Sequence, residues 1–224
     1  IKNKPADLTD GDDDTLGGMS CSKTQIAEWN GSNWVCAEKP KMTVPFTRWG
    51  RTDCPSGTQR IYKGYAASGR YDHTGSTSSM LCLTDSPTHD PASSDKNEDG
   101  SLLYGVEYHS HGVSAYNDIN NNDVPCAKCL ATKATSKIMV PGSKECPSGW
   151  DRQYRGFLMA AYYKNHRPIE SVCMDRDAQP RGGSGDNDNN GILYPTETEC
   201  HGSLPCGNGS YRNDREVTCS ICTR

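Results

Sequence analysis

The sequence predicts an all-β protein: two tandem homologous, disulfide-linked β subdomains behind a short N-terminal β-hairpin extension. Three observations carry that prediction. The 224 residues contain twelve cysteines, an even and dense set. One series of short motifs occurs twice, in the same order. Segments such as Gln59–Tyr65, Ser101–Tyr108, Ile138–Val140, Gly191–Tyr194 and Glu216–Ile221 are short, partly β-branched or aromatic, and bounded by turn residues. Long amphipathic helical periodicity is missing.

Composition narrows the class. Hydrophobic residues make up 33% of the chain, and adding the 22 Gly gives about 43%. The usual apolar share, Gly included, is roughly 45–50%. Mean hydropathy is −0.80. No apolar run approaches the roughly 18 residues of a membrane span; the best is Phe157-Leu-Met-Ala-Ala-Tyr-Tyr163. A net charge of −4 and a pI near 5.9 argue against nucleic acid as a partner. The small net charge and regular aromatics argue against a disordered chain.

The repeat is explicit. Cys54-Pro-Ser-Gly-Thr-Gln-Arg-Ile-Tyr-Lys-Gly-Tyr65 recurs as Cys146-Pro-Ser-Gly-Trp-Asp-Arg-Gln-Tyr-Arg-Gly-Phe157. Met80-Leu-Cys82-Leu-Thr-Asp85 recurs as Ser171-Val-Cys173-Met-Asp175, and Asp99-Gly-Ser-Leu-Leu-Tyr104 as Asn190-Gly-Ile-Leu-Tyr194. Val124-Pro-Cys126-Ala-Lys-Cys129 recurs as Val217-Thr-Cys219-Ser-Ile-Cys222. The offsets run from 90 to 93 residues. Ordered self-similarity of this kind marks duplicated structural units. The chain therefore divides into residues 1–43, a first half at 44–134 and a second at 135–224.

Within residues 1–43, the stretch from Leu8 to Leu16 is acidic and expected to be extended. Ile26–Trp29 and Trp34–Cys36 flank Asn30-Gly-Ser-Asn33, which reads as a hairpin with an Asn-Gly turn. Trp29 and Trp34 then form a cross-strand packing pair, a reading preferred over a sugar-stacking pair. Residues Ala37–Met42 read as a linker. The loops Asp85–Gly100, Tyr116–Val124 and Asp175–Gly191 are long and polar, which suggests ligand or metal roles.

The repeat also sorts the cysteines. Each half carries a Cys-Pro-Ser-Gly cysteine, a middle cysteine and a Cys-x-x-Cys. Cys200 and Cys206 have no counterparts in the first half, so they pair most simply with each other. Cys21 and Cys36 lie outside the repeat and pair locally. Each remaining set of four allows three connectivities. Bonding within a Cys-x-x-Cys restrains the unfolded chain least, and a four-thiolate zinc site is the rival reading. A dense, even set in a chain with little core belongs to an oxidising compartment, hence a secreted, extracellular protein. The chain begins with Ile, so a signal peptide is expected to have been removed, or the chain is a processed fragment. The sequons at Asn30 and Asn208 are candidate glycosylation sites.

These motifs resemble the C-terminal non-collagenous domain of type IV collagen, and more closely its relatives in the short-chain, spongin-like collagens of invertebrates. The matching residues are Cys54-Pro-Ser-Gly-Thr with Tyr62 and Gly64-Tyr65, Cys126-Ala-Lys-Cys129, Cys146-Pro-Ser-Gly-Trp150, Gly156-Phe157, Glu199-Cys-His-Gly202 with Cys206, and Cys219-x-x-Cys222. The resemblance implies the pairs Cys54–Cys129, Cys82–Cys126, Cys146–Cys222, Cys173–Cys219 and Cys200–Cys206. It also implies two similar all-β subdomains and assembly as a trimer. The chain departs from the family in three ways. It has no Gly-x-y run, its first half lacks the short local disulfide, and its Asp- and Asn-rich loops have no match there. No counterpart is evident for the residues that join trimers into hexamers. The stretch Asp14-Thr-Leu-Gly-Gly-Met-Ser-Cys21 with its hairpin looks like a module found before secreted oligomeric heads.

The sharpest chemical motif is Asp186-Asn-Asp188-Asn-Asn190-Gly191. Oxygen ligands at alternate positions before Gly suit a calcium-wrapping loop, although the closing bidentate Glu is missing. Asp95-Lys-Asn97-Glu-Asp99-Gly100 has the same form at the equivalent place in the first half. Calcium is therefore the expected cofactor, with Asp95, Asn97, Asp99, Asp186, Asp188 and Asn190 as ligands. Asp118-Ile-Asn120-Asn-Asn122-Asp123 is a weaker candidate. Asp10, Asp12, Asp13 and Asp14 read as a solvated acidic tail. His109 and His111 read as surface or capping histidines, and no catalytic motif or phosphate loop is present. The expected function is a non-enzymatic structural or assembly head in extracellular matrix or cell adhesion. Its partners would be copies of itself, and matrix proteins or glycans. The alternative is a secreted calcium-dependent glycan-binding protein, a lectin or defence protein.

Overall fold

The structure, a computed structural model, describes residues 19–40, 42–90, 100–182, 185, 187–200, 203–207 and 211–224. Almost all regular structure among them is β. The chain forms two compact units, Ile1–Lys41 and Met42–Arg224.

In the first unit, β1 (Gln25–Trp29) and β2 (Trp34–Glu38) form an antiparallel hairpin. Its turn follows from Asn30 and Gly31. The Asn30 Oδ1 accepts the N–H of Ser32 and of Asn33 at 3.0 and 2.9 Å, and Gly31 takes a φ of +95° that a side chain would resist. Trp29 stands opposite Trp34, with ring centroids 5.8 Å apart and edge-on. Cys21 bonds Cys36. The second strand runs two residues into the segment read as a linker, because Ala37 and Glu38 complete the ladder opposite Ile26 and Gln25.

The second unit holds both repeats in one ten-stranded sheet. The first half supplies β3 (Val44–Trp49), β4 (Thr58–Ser68), β5 (Leu81–Thr84), β6 (Tyr104–Tyr108) and β7 (Pro125–Ala131). The second supplies β8 (Lys137–Pro141), β9 (Asp151–Ala160), β10 (Val172–Asp175), β11 (Gly191–Pro195) and β14 (Thr218–Thr223). Between the last two, β12 (Glu197–Thr198) and β13 (Arg215–Glu216) make a separate two-stranded ladder. The strand path is β10-β3-β7-β4-β6-β11-β9-β14-β8, with β5 on β4. β10 also pairs with β9, so the path closes on itself.

The halves repeat each other bond for bond. β4 lies between β7 and β5, as β9 lies between β14 and β10. Each long strand carries a register shift at the same repeat position, next to Ile61 and next to Gln153. Such a bulge increases local twist and bends the strand from one partner toward the next. Gly64 and Gly156 then cross their neighbours so closely that a Cβ would strike the carbonyl oxygen of Leu83 or of Met174. The Tyr62 hydroxyl donates to the Cys82 carbonyl at 2.9 Å, and the Tyr154 hydroxyl to the Cys173 carbonyl at 3.0 Å.

All twelve cysteines are paired. The five pairs of this unit are Cys54–Cys129, Cys82–Cys126, Cys146–Cys222, Cys173–Cys219 and Cys200–Cys206. They are those the resemblance implies, so no Cys-x-x-Cys is left as thiolates for zinc. Neither half buries its own separate core. One apolar cluster joins Trp49, Val106, Tyr108 and Tyr116 to Met159, Val172, Met174 and Leu193, and a second joins Phe46 and Ala127 to Tyr154 and Ile221.

Candidate functional site

The most informative surface is the seam between the halves, because half of its counterpart is left open. At the seam β10 pairs in parallel with β3, Met174 opposite Trp49. β11 pairs in parallel with β6, Ile192 opposite Glu107 and Leu193 opposite Tyr108. The Arg48 guanidinium reaches from β3 to the buried Asp175 carboxylate on β10 at 2.7 Å. Tyr116, on a short 3-10 helix at Ser114–Ile119, packs edge-on against Phe157 and donates its hydroxyl to the Asp175 carbonyl at 2.8 Å. The segment after β10 continues over the first half, with the Gln179 N–H on the Gly50 carbonyl and Arg181 bound to Asp123 at 2.7 Å.

The repeat shows what is missing. Val172, Met174, Ile192 and Leu193 are 0–5% exposed. Their counterparts Leu81, Leu83, Leu102 and Leu103 are 41–48% exposed. Among the described residues β5 pairs only with β4, and β8 only with β14. Tyr65, counterpart of Phe157, is exposed as well and lines an apolar groove of about 230 Å³ with Leu83 and Leu103. The first half thus presents a copy of the surface that the second half buries. Sequence reading passed over these four leucines. The signal was present, since apolar residues recur at those four aligned positions in both halves.

Of the expected calcium ligands, Asp95, Asn97, Asp99 and Asp186 lie outside the described residues. Asp188 is exposed, and Asn190 is half-buried. Asn187 and Asn189 adopt left-handed φ values of +43° and +51°, which coil this segment tightly. Glu107 is buried, and the Asp123 and Asp188 carboxylates act on its carboxyl. Burial, and then those two carboxylates, push the Glu107 carboxyl above its ordinary range. Glu107 is the acidic residue sequence reading missed; its burial comes from the seam. Among the described residues, no group of three or more His, Cys, Asp or Glu side chains is arranged to hold a metal.

The loop Tyr116–Val124, expected to serve a ligand, anchors the core through Tyr116 and Ile119. In it the Asn120 Oδ1 accepts the Ser110 N–H at 2.8 Å, and the Asn122 side chain donates to the Asn120 carbonyl. His109 lies stacked on Tyr194, with His111 beside it. Burial, then His111, lowers the His109 pKa. Asn30 sits at an exposed hairpin turn, whereas Asn208 lies outside the described residues. No helix among the described residues is long and apolar enough to cross a membrane. No protein-family model matches the chain. Six disulfides are the chemistry of an extracellular-type protein.

Proposed function

We propose that the chain is a secreted, non-enzymatic structural head of extracellular matrix or cell adhesion, assembled from copies of itself, with three as the number the type IV collagen-like resemblance implies. The observation that carries this reading is the set Leu81, Leu83, Leu102 and Leu103, exposed where their repeat counterparts are buried. Inside one chain, β3 covers β10 and β6 covers β11. The equivalent cover for β5 and for the Leu102–Leu103 segment is the second half of another copy, whose β8 has one edge unpaired among the described residues. Contact of this head-to-tail kind closes into a ring when the rotation permits. Exposed strand edges and clustered leucines are otherwise aggregation hazards. Calcium at Asp186, Asp188 and Asn190, and at Asp95, Asn97 and Asp99, belongs to the same reading as a stabilising ion.

Sedimentation of the native chain at micromolar concentration with calcium present tests the assembly. The expected mass is three times 24.5 kDa. The Leu83→Asp/Leu103→Asp variant is expected to run as a folded monomer. A native chain that sediments as a monomer overturns the proposal.

A further inference from the structure

The open ends of the tandem repeat the backbone of the internal seam but not its charges. On the acceptor side Gly142 stands for Gly50, with φ of +86° against +87°. The Gly142 N–H meets the Thr218 carbonyl at 2.7 Å, as that of Gly50 meets Pro125 at 2.8 Å. Glu197 lies opposite Glu216 across the β12–β13 ladder, as Glu107 lies opposite Asp123. The Val217 N–H meets the Thr196 carbonyl at 2.8 Å, as that of Val124 meets Val106. A groove of about 390 Å³ between Gly142, Thr198, Glu216 and Thr218 is open here.

The donor side matches as well. The Asp85 N–H meets the Lys63 carbonyl at 3.1 Å, as that of Arg176 meets Arg155 at 2.9 Å. The Ser86 N–H meets the Thr84 hydroxyl, as that of Asp177 meets the Asp175 carboxylate. The segment leaving β5 thus starts on the path by which the segment leaving β10 crosses the first half. Thr84 to Gly100 and Asp175 to Gly191 are equal in length, which sets Asp90 at the position of Arg181.

Two ion pairs cross the internal seam, Arg48 with Asp175 and Arg181 with Asp123, each at 2.7 Å. Neither is available between copies. Val140 and Thr84 occupy the positions of the first, Asp90 and Glu216 those of the second. Glu197 is exposed and Glu216 half-buried, and neither is in an ion pair among the described residues. Where Arg181 brings a cation to an acidic pair, Asp90 brings a third carboxylate, and like charges set together across an interface oppose association. Arg212 and Arg215 line the same groove; Arg215 alternates to the other face of the strand from Glu216, and Arg212 lies outside the ladder.

Building on the self-assembly read above, we propose that the contact between copies is a charge-regulated version of the internal seam. Asp90 of one copy meets Glu197 and Glu216 of the next, which keeps the contact reversible and tightens it when that charge is neutralised.

Sedimentation equilibrium with calcium held constant tests it. The native chain should associate more tightly as sodium chloride rises from about 20 to about 300 mM, because salt screens like charge. Asp90→Arg, which copies the internal pair, should tighten association at low salt roughly tenfold or more and reverse its salt dependence. Glu197→Gln/Glu216→Gln should tighten the native contact and remove most of the gain from Asp90→Arg, with far-ultraviolet circular dichroism unchanged. An Asp90→Arg chain that associates no more tightly than the native one, or a gain that the double glutamine variant keeps, overturns the charge regulation and leaves assembly standing. If neither the native chain nor Asp90→Arg associates, the assembly reading falls and this one with it.

Discussion

The two halves of the second unit share five strands, a bulge and two disulfide pairings, yet their apolar surfaces meet different fates. Val172, Met174, Ile192 and Leu193 are buried, and Leu81, Leu83, Leu102 and Leu103 are exposed. Residue type does not explain the difference, since leucine is as apolar as what it replaces. Position in the chain does. A linear pair of repeats makes one internal seam and leaves one donor surface and one acceptor surface open at its ends. The lesson is that burial here belongs to the neighbour and not to the repeat.

Three experiments would break or sharpen this comparison. The largest effect is expected where the halves are alike. Gly64→Ala and Gly156→Ala each drive a methyl into a backbone carbonyl of the adjacent strand, so each should lose at least about 4 kcal/mol in urea unfolding. If only one of the two is destabilised, the crossings are not equivalent. The next effect separates the halves. Met174→Ala should cost about 2–5 kcal/mol, as other buried large-to-small changes do. Leu83→Ala at the same repeat position should cost the isolated chain under about 1 kcal/mol. Measured at increasing concentration, Leu83→Ala should grow more costly if a second copy covers that position; a cost independent of concentration speaks against such cover.

The smallest effect is a pH dependence. Glu107 is buried by the seam and its carboxyl is raised above its ordinary value of 4.5. A raised folded value means that the stability it supplies is complete below the ordinary value and is lost as pH rises through the folded one. Glu107→Gln should therefore stabilise the chain relative to the native sequence increasingly as pH rises from about 4 to 7, read from urea midpoints. Its repeat counterpart Glu197 is exposed, and Glu197→Gln should shift those midpoints less. A native chain as stable at neutral pH as the Glu107→Gln variant would contradict the sign.

Part of this structure was legible in advance for a physical reason. Cys-Pro-Ser-Gly at residues 54 and 146 encodes a turn locally: Gly57 and Gly149 take φ values of +81° and +80°, and the turns close with the N–H of Thr58 on Pro55 and of Trp150 on Pro147. The Asn30-Gly31 hairpin is local in the same way. Repetition singled out Cys200 and Cys206, which stand out only when the halves are aligned, whereas the pairing of the two sets of four was legible only through the resemblance. What escaped was everything set by contacts between halves. Short β10, with all four residues buried, shows no alternation that would mark its face. Glu107 looks like any exposed acid until β11 lies beside it.

The sequence by itself determined the duplication, the oxidising compartment, the β class and the motifs that distinguish each cysteine, because each depends on residue type and spacing. Only the tertiary structure decided that the two halves share one closed sheet and a common core. It alone sorted equivalent apolar residues into covered and open. Strand pairing across a parallel seam joins positions far apart in the chain, and no local pattern records which partner will arrive there. Of the eight aligned apolar residues, half found a partner inside the chain, and the other four are left facing outward.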